Sequence, residues 1–183
     1  VFELHLNEWP YGTHTHNFCE LIFVKKGYGH HTINNTKFSF SSGDIFLLTP
    51  EDNHSFGLQG YTNLLYIKFT EQVFQEKSER TKYGISDIFS LSLFHSHTIQ
   101  GSIVKDTRDA KNLFLLAEVL LEEFTIRAPY SHELALELFR AIATIVVRKV
   151  TKFKQSNDAL ENDRARIAHI LSYIRQHIAR EDR

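Results

Sequence analysis

The most informative segment of this 183-residue chain reads Tyr11-Gly-Thr-His14-Thr-His16-Asn-Phe-Cys-Glu20-Leu-Ile-Phe-Val-Lys-Lys-Gly27. It places two histidines one residue apart, then a glutamate, and then an apolar run that ends near a glycine. Side chains two residues apart on a strand point to the same face, so we expect His14 and His16 to be neighbours on one side of a sheet. Three interpretations are open at this point: a metal site, a polar pocket, or histidines that only mark strand ends.

A second segment with similar chemistry reads Gly43-Asp-Ile-Phe-Leu-Leu-Thr-Pro50-Glu-Asp-Asn-His54. Around both segments, residues 1–70 consist of short strand-like runs separated by glycine, proline and asparagine turns. The apolar run over 18–24 occupies both parities, which predicts a strand covered on both faces, and Asn34-Asn35 predicts a hairpin turn. Many short strands with turn signals between them favour a sandwich or a barrel.

The hydrophobic period becomes helical after Lys105. A first helix is indicated by a stripe of apolar residues: Leu113, Leu116, Leu120 and Phe124. Ser131 is a typical N-cap for a second helix. The apolar side of this second helix consists of Leu134, Leu138, Phe139, Ile142, Ile145, Val146 and Val150. Residues 155–164 read as a polar linker, and 165–183 read as a short amphipathic helix.

Charge and composition argue against several classes of protein. The chain has 21 basic and 22 acidic residues, so it lacks the basic excess of a protein that neutralises many phosphates by itself. No run approaches the roughly 20 apolar residues of a membrane span, and the first residues do not resemble a signal peptide. The single cysteine, Cys19, fits a reducing compartment, so we expect a cytoplasmic protein with Cys19 as a small buried hydrophobe. The sequence contains no methionine, and we therefore expect it to be a fragment.

The first segment resembles the first conserved motif of the cupin superfamily. In that motif His-x-His is followed after three or four residues by Glu, and after six more residues by Gly. His14, His16, Glu20 and Gly27 fit this spacing. The second cupin motif is matched in part by Gly43, Pro50 and His54.

The second motif also departs from the family pattern, because Asp52 stands where glycine is usual and His54 comes one residue early. In metal-binding cupins the two motifs together supply three histidines and a glutamate. By this resemblance, the candidate metal ligands are His14, His16, Glu20 and His54. Imidazole and carboxylate ligands suit Zn, Ni, Fe or Mn, so the possible cofactor is a divalent transition metal.

Strand geometry provides a test of the metal hypothesis. A straight strand rises about 3.3 Å per residue, which would place Glu20 about 13 Å from His16. Metal ligands must converge on one point at distances of about 2 Å. The hypothesis therefore requires a bend or a strand change near Asn17.

The region that would surround a cupin mouth is rich in aromatic and polar side chains. Such a mixture can stack on a small polar ligand, such as a sugar, and hydrogen-bond to it. The alternative is that most of these side chains belong to the core. The candidate ligand-binding residues are Trp9, Tyr11, Phe18, His31, Phe56 and Tyr66.

The chain as a whole is similar to the N-terminal portion of AraC-type transcription regulators. The similarity is carried by the runs over 18–27, 43–50 and 53–56, and by Arg166-Ile-Ala-His-Ile-Leu-Ser-Tyr-Ile-Arg-Gln-His-Ile-Ala179. This last run resembles the first helix of that family's DNA-binding domain. The order of these motifs is more specific than any one of them.

The resemblance implies an α+β, mainly β fold, in which a cupin-like jelly-roll barrel is followed by two antiparallel helices and a short terminal helix. It implies four regions: an effector-binding barrel over 1–104, a helical dimerisation segment over 105–154, a linker over 155–164, and the first helix of a truncated helix-turn-helix domain over 165–183. The implied homodimer would use Leu134, Leu138, Phe139, Ile142, Ile145 and Val146. DNA would be bound only through helix-turn-helix units expected after Arg183.

Two other functions remain open alongside a regulator that binds a small effector. The first is a metal-dependent cupin enzyme of the oxygenase or isomerase type, which would use the same four ligands with an open coordination position. The second is a sugar-binding module of another system. Neither of them explains the polar linker and the terminal amphipathic segment.

Overall fold

The computed structural model describes residues 1–50, 52–74, 101–104 and 107–150. Residues Val1–Val150 belong to one compact unit. Within the described residues, the strands are β1 (Phe2–Leu6), β2 (Cys19–Lys26), β3 (Tyr28–Ile33), β4 (Thr36–Ser41), β5 (Ile45–Leu48), β6 (His54–Leu58) and β7 (Thr62–Phe69). A 3-10 helix, Glu71–Phe74, follows β7.

The strands form two antiparallel sheets. One sheet has four strands in the order β1-β7-β2-β5, and the other has three strands in the order β4-β3-β6. Apolar side chains from both sheets pack into one core between them: Ile22, Val24, Ile33, Phe40, Phe46, Leu48, Phe56, Leu64 and Tyr66. Burial of this apolar surface, at about 25 cal/mol per Å², is the main force that holds the two sheets together.

Strand β2 is covered on both faces, as the parity of its apolar residues predicts. Ile22 and Val24 point into the core between the sheets, whereas Leu21 and Phe23 belong to a second core on the opposite face. Cys19 is buried in this second core, which confirms its predicted role as a small apolar residue. Glu20 shares its parity with Ile22, so the only acidic residue of β2 faces the space between the sheets.

The turns follow the predicted glycine and asparagine positions. Asn34 and Asn35 connect β3 to β4 with φ values of 48° and 65°, the left-handed conformation that a tight hairpin requires. Gly27 connects β2 to β3 with a φ of 102°. A Cβ atom at Gly27 would lie 2.4 Å from Oγ1 of Thr62, so β7 leaves no space for a side chain there.

The two helices cover the outer face of the four-stranded sheet. Helix α1 is Thr107–Ile126, and helix α2 extends over 131–150 in the described chain. Asp109 near the start of α1 forms an ion pair with Lys149 near residue 150, so the helices are antiparallel. Their inner faces fill the second core with Leu113, Ala117, Leu120, Ala135, Phe139, Ile142, Ala143, Val146, Val147 and Val150.

The fold class predicted from the sequence is confirmed: two antiparallel β-sheets are followed by two helices. The predicted linker over 155–164 and the terminal helix over 165–183 lie outside the described residues. Of the helices in the described ranges, none has the combination of length and apolar character that a membrane crossing needs.

The prediction that His14 and His16 are neighbours on one strand is wrong. Between β1 and β2 the described chain has only an isolated bridge, which pairs His14 with His54. The chain then bends at Asn17 and Phe18 before β2 begins at Cys19. The sequence around His14 could not show this geometry, because His14 pairs with His54, which lies far away in the sequence at the start of β6.

Candidate functional site: a buried His-Glu-His group

Three donor side chains converge at one end of the space between the sheets. The ligand atoms of His16, Glu20 and His54 all lie within 4.8 Å of one another. Nε2 of His16 is 3.5 Å from Oε2 of Glu20, and Nε2 of His54 is 3.7 Å from the same oxygen. The three side chains are 5 %, 3 % and 1 % exposed, so solvent hardly reaches this group. We refer to these three residues as the His-Glu-His group.

The backbone explains why these side chains meet. Glu20 is the second residue of β2, and His54 is the first residue of β6, where it pairs with Ile33 of β3. The backbones of His14 and His54 exchange hydrogen bonds of 3.2 and 2.9 Å, which attach the segment before β2 to the start of β6. The bend at Asn17 and Phe18 then turns His16 back towards Glu20. This is the bend near Asn17 that the metal hypothesis requires.

The hydrogen bond of His16 determines which of its nitrogens faces the group. Nδ1 of His16 lies 2.5 Å from the carbonyl oxygen of Phe18, and a carbonyl can only accept. Nδ1 therefore carries a proton, and when the ring is neutral its Nε2 presents a lone pair. This lone pair points at a carboxylate oxygen, which is also an acceptor.

Each of the three atoms that face one another is unsatisfied. Nε2 of His16, Oε2 of Glu20 and Nε2 of His54 are buried and have no hydrogen-bond partner within the described residues. Separations of 3.5 and 3.7 Å are too long for hydrogen bonds. Leaving buried polar atoms unpaired costs about 1–3 kcal/mol each, so such a cluster requires an explanation.

The chemistry of the three donors fits a divalent transition metal. Two imidazole nitrogens and one carboxylate are the ligands of the facial triad that leaves further coordination positions open. Burial, together with the nearby His14, His16 and Lys68, lowers the pKa of His54 to about 3. His54 is therefore neutral at pH 7, as a metal ligand must be.

Lys68 is part of this site, although it was not among the candidate residues. It lies directly opposite Glu20 in the pairing of β2 with β7, and its Nζ is 3.1 Å from Oε1 of Glu20. Its ammonium group also lies over the ring of Phe18, 4.6 Å from the centroid. The sequence did contain a signal for Lys68. It is a charged residue at the same parity of β7 as Leu64 and Tyr66, so its side chain starts from the face that the core covers.

His14 lies outside the His-Glu-His group. Its side chain is exposed, and its Nδ1 is 3.0 Å from the carbonyl oxygen of Gly12. Its ring centroid is 4.5 Å from that of His54. His14 therefore lies at the edge of the group, between His54 and solvent.

The candidate ligand-binding residues separate into two sets. The first forms an aromatic cluster near His14: Trp9 contacts Tyr11 at 5.1 Å and Phe56 at 4.9 Å between ring centroids. Tyr11 is more than half exposed, Trp9 is partly buried, and Phe56 is buried. Nε1 of Trp9 is buried and has no hydrogen-bond partner in the part of the chain that the structure describes.

The second set contains Phe18, which lies beside the His-Glu-His group, and Tyr66, which is buried in the core. Phe18 stacks on His16 at 4.6 Å. Tyr66 is buried against Phe2, with its hydroxyl unpaired among the described residues. Burial and the negative charge of Glu20 raise the pKa of Tyr66 far above its usual value, so its hydroxyl stays protonated and can act as a donor.

His31 lies behind His54 rather than at a mouth. Its exposure is 0 %, and its ring stacks on Phe56 with centroids 3.8 Å apart and planes 9° apart. Its Nε2 lies 3.2 Å from Nδ1 of His54. Burial and the proximity of His54 keep the pKa of His31 well below its usual value.

Comparison with known proteins identifies the family of the chain. The sequence family described as the AraC-like ligand binding domain matches residues 1–103. The chain belongs to this family. It is also 41 % identical over 46 residues to the HTH-type transcriptional activator RhaR of Enterobacter sp. (strain 638) and to that of Cronobacter sakazakii. These matches cover 25 % of this chain and only 16 % of each relative.

Solved structures with partial similarity to this AraC-like domain include cupins. A cupin protein from Bacteroides fragilis aligns with a TM-score of 0.36 and 19 % identity, covering 46 % of this chain and 71 % of the other. The Cnp3 cupin domain of Schizosaccharomyces pombe aligns with a TM-score of 0.36 and 15 % identity, covering 39 % of this chain and 55 % of the other.

The predicted dimer residues lie on α2 and differ in their environments. Phe139, Ile142 and Val146 are buried in the core of their own chain. Leu138 and Ile145 are partly buried and pack against that core. Leu134 is 45 % exposed near the start of α2.

Proposed function

We propose that this chain is the ligand-sensing part of a cytoplasmic AraC-type transcription regulator. A small polar effector, such as a sugar, binds in the barrel and alters how a separate domain engages DNA. The match of residues 1–103 to the AraC-like ligand binding domain family is the observation that carries this proposal. The near-neutral charge of the chain supports it, because DNA contact is assigned to a different domain.

Unpaired donors inside the barrel support a polar ligand. Nε1 of Trp9 and the hydroxyl of Tyr66 are both buried and lack hydrogen-bond partners among the described residues. Such donors discriminate strongly between ligands that carry a matching acceptor and ligands that do not. The aromatic faces of Trp9 and Tyr11 provide stacking surfaces for the apolar face of a sugar ring.

The test is a thermal-shift screen of the protein against a panel of sugars, performed with a chelator and again with divalent metals. A ligand at 100 times its Kd stabilises the native state by about 2.7 kcal/mol, which raises Tm measurably. We expect a hit whose shift is reduced by Tyr66→Phe, which removes only the hydroxyl. Tyr28→Phe is the matched control, because Tyr28 is 59 % exposed on β3. A hit that is unaffected by Tyr66→Phe and by Trp9→Phe would contradict effector binding in the barrel.

A divalent cation held by the His-Glu-His group is the second part of the proposal. His16, Glu20 and His54 would hold it, and the three unpaired polar atoms that face one another support such a site. When bound, the cation would supply positive charge and open coordination positions for oxygen atoms of the effector. His14 and Lys68 would remain beside the cation rather than bind it.

Homodimerisation through the helices is the third part. Several large apolar side chains of the helical hairpin are exposed, namely Leu115, Phe124, Ile126, Tyr130 and Leu134. Because three of the six candidate dimer residues are buried in their own chain, the proposed contact uses the exposed residues around Leu134. A dimer of this kind would give the effector a means of changing the spacing of two DNA-binding domains.

A metal-dependent enzyme of the oxygenase or isomerase type is the second candidate function. The observation that favours it is the combination of two histidines and one carboxylate, a set of ligands that fills only part of the coordination shell of a metal. Oxygen consumption by the iron-loaded protein, or isomerisation of a sugar by the loaded protein, would support this candidate. The regulator proposal expects effector binding without turnover.

A further inference from the structure

His31 and His54 contact each other through their ring nitrogens. Nε2 of His31 lies 3.2 Å from Nδ1 of His54, and the two residues are 0 % and 1 % exposed. A neutral imidazole has one protonated and one bare nitrogen. In this hydrogen bond one ring must therefore donate, and the protonation of each ring determines that of the other.

When a cation is bound, the other ring nitrogen of His54, Nε2, determines which of the two rings donates this hydrogen bond. Nε2 of His54 faces Oε2 of Glu20 at 3.7 Å, on the side of the His-Glu-His group. A cation among His16, Glu20 and His54 requires a lone pair on Nε2 of His54. The ring proton must then be on Nδ1, and the acceptor 3.2 Å away is Nε2 of His31.

We propose that His31 is the positioning residue of the cation site. Its Nε2 accepts the Nδ1 proton of His54 and so holds the lone pair of His54 towards Glu20 and His16. This inference rests on the cation site proposed above. It assigns to His31 a role that differs from contact with the effector, since the ring lies behind His54 and is completely buried.

The surroundings of His31 hold its ring in one orientation. His31 pairs directly with Phe56 in the register of β3 with β6, and the two rings are stacked 3.8 Å apart. Phe46 of the opposite sheet packs at 90° to the ring, with centroids 4.6 Å apart. Two aromatic walls and a paired backbone thus prevent the ring from turning away from His54.

This arrangement has an energetic cost for the folded state. With its Nε2 accepting, His31 carries its own proton on Nδ1, and that atom is buried with no hydrogen-bond partner in the described ranges. An unpaired buried polar atom destabilises the fold. His31 therefore has two roles in the folded state: its Nε2 orients His54 for a cation, and its ring packs against Phe46 and Phe56.

His31→Phe separates these two roles, because phenylalanine keeps the stacked ring and removes both nitrogens. We expect the affinity for Zn²⁺, measured by calorimetry on protein without a histidine tag, to fall about 10- to 100-fold. The Tm of the same variant in chelator should change little, because one unpaired buried nitrogen, Nδ1 of His31, is exchanged for another, Nδ1 of His54. A purely structural role would lower both quantities, and unchanged Zn²⁺ affinity would overturn the proposal.

Two comparison variants sharpen the result. His30→Phe makes the same replacement on the neighbouring residue of β3, which is only partly buried, and it should leave the Zn²⁺ affinity unchanged. His31→Gln keeps an oxygen that can accept the proton of His54, so it should lose less affinity than His31→Phe. Equal losses for His31→Gln and His31→Phe would count against the proposed hydrogen bond.

Nitrogen-15 NMR of the imidazole rings supplies a direct readout. In the Zn²⁺-loaded protein, we expect His31 to be protonated on Nδ1 and bare on Nε2. A proton on Nε2 of His31 would overturn the proposal, as would a wild-type protein that binds no Zn²⁺. The ligand-sensing function is tested separately, by effector binding in chelator. A wrong protonation of His31 or a lack of Zn²⁺ binding can therefore be distinguished from a failure of ligand sensing.

Discussion

Glu20 and Lys68 face each other across β2 and β7, with Oε1 of Glu20 3.1 Å from Nζ of Lys68. This ion pair occupies one carboxylate oxygen and leaves Oε2 directed towards His16 and His54. One oxygen of Glu20 is therefore neutralised by a lysine, and the other has no hydrogen-bond partner among the described residues. Lys68 is 39 % exposed, whereas Glu20 is 3 % exposed, so the pair lies at the boundary between solvent and the barrel interior.

Replacement of Lys68 by methionine is expected to raise the affinity for Zn²⁺ and to lower the stability of the cation-free protein. The affinity should rise roughly tenfold, because a screened repulsion of about 1.4 kcal/mol between the lysine and the cation disappears. The cation-free fold loses stability, since the buried Glu20 carboxylate then has no positive partner at Oε1. Calorimetry with Zn²⁺ and urea unfolding in chelator measure the two effects. Lys26→Met, at an exposed position of β2, should change neither, and a loss of Zn²⁺ affinity in Lys68→Met would contradict the assigned role.

Removal of a proposed ligand tests the His-Glu-His group itself. We expect His16→Ala, Glu20→Gln and His54→Gln each to weaken Zn²⁺ binding by more than about 100-fold, beyond the effect of changing an outer-shell partner. Equilibrium dialysis followed by elemental analysis measures the bound metal in protein without a histidine tag. His132→Ala is the matched control, because His132 is exposed on α2. Equal metal content in all four variants would show that the cation binds elsewhere.

The two buried histidines make stability depend on pH in the absence of metal. The pKa of His54 is about 3 and that of His31 is also far below its usual value, whereas both are near 6.5 in the unfolded chain. Well above pH 6.5 both histidines are neutral in the folded and in the unfolded chain, so neither makes the free energy of unfolding depend on pH. As the pH falls below 6.5, the unfolded chain takes up protons that the folded chain excludes, so the free energy of unfolding falls by about 1.4 kcal/mol per pH unit for each histidine.

Urea unfolding in chelator between about pH 7 and pH 5 measures this slope. His31→Phe should reduce it by about 1.4 kcal/mol per pH unit, because one of the two proton-binding groups is removed. His132→Phe should leave the slope unchanged, since His132 is exposed. A wild-type slope that His31→Phe does not alter would show that His31 is not the group responsible.

Gly27 and Gly43 provide a matched pair for testing the barrel geometry. Their φ values are 102° and 98°, so alanine is strained at both positions by about 1–2 kcal/mol. A Cβ at Gly27 would also lie 2.8 Å from Cα of Thr62, whereas a Cβ at Gly43 meets nothing within 4 Å among the described residues. We expect Gly27→Ala to be at least about 1–3 kcal/mol more destabilising than Gly43→Ala in urea unfolding. Equal losses would mean that β7 does not approach Gly27 as closely as the structure shows.

The homodimer proposal is tested by sedimentation equilibrium at micromolar concentrations. We expect a dimer that Leu134→Glu weakens by at least about tenfold, because a charge would be buried in an apolar contact. Tyr28→Glu is the control, since Tyr28 is also a large exposed residue but lies on β3. A monomer at high micromolar concentration, or equal effects of the two variants, would count against a dimer formed through the helices.

Much of the architecture was predictable because it depends on local periodicity. The double-sided apolar pattern of β2 indicated its central position, and Asn34-Asn35 indicated the β3–β4 turn. The change to a helical period after Lys105 indicated α1, which starts at Thr107. In each case a few consecutive residues contain the necessary information, since side-chain direction alternates with period 2 in a strand and 3.6 in a helix.

The site was only partly predictable. Three of the four candidate ligands, His16, Glu20 and His54, come together, whereas His14 remains exposed at the edge. Lys68 was missed because an ion pair across two strands depends on their register. His31 was expected to contact a ligand, but its position behind His54 depends on the pairing of β3 with β6.

The sequence by itself determined the family resemblance, the strand and helix order, and the residue types available for a site. Only the tertiary structure decided which of those residues meet. The bend at Asn17 and Phe18, the bridge between His14 and His54, and the register of β2 with β7 bring His16, Glu20, His54 and Lys68 together. These contacts join parts of the chain that are far apart in sequence, and they form because burying the core between the two sheets fixes the register of every strand.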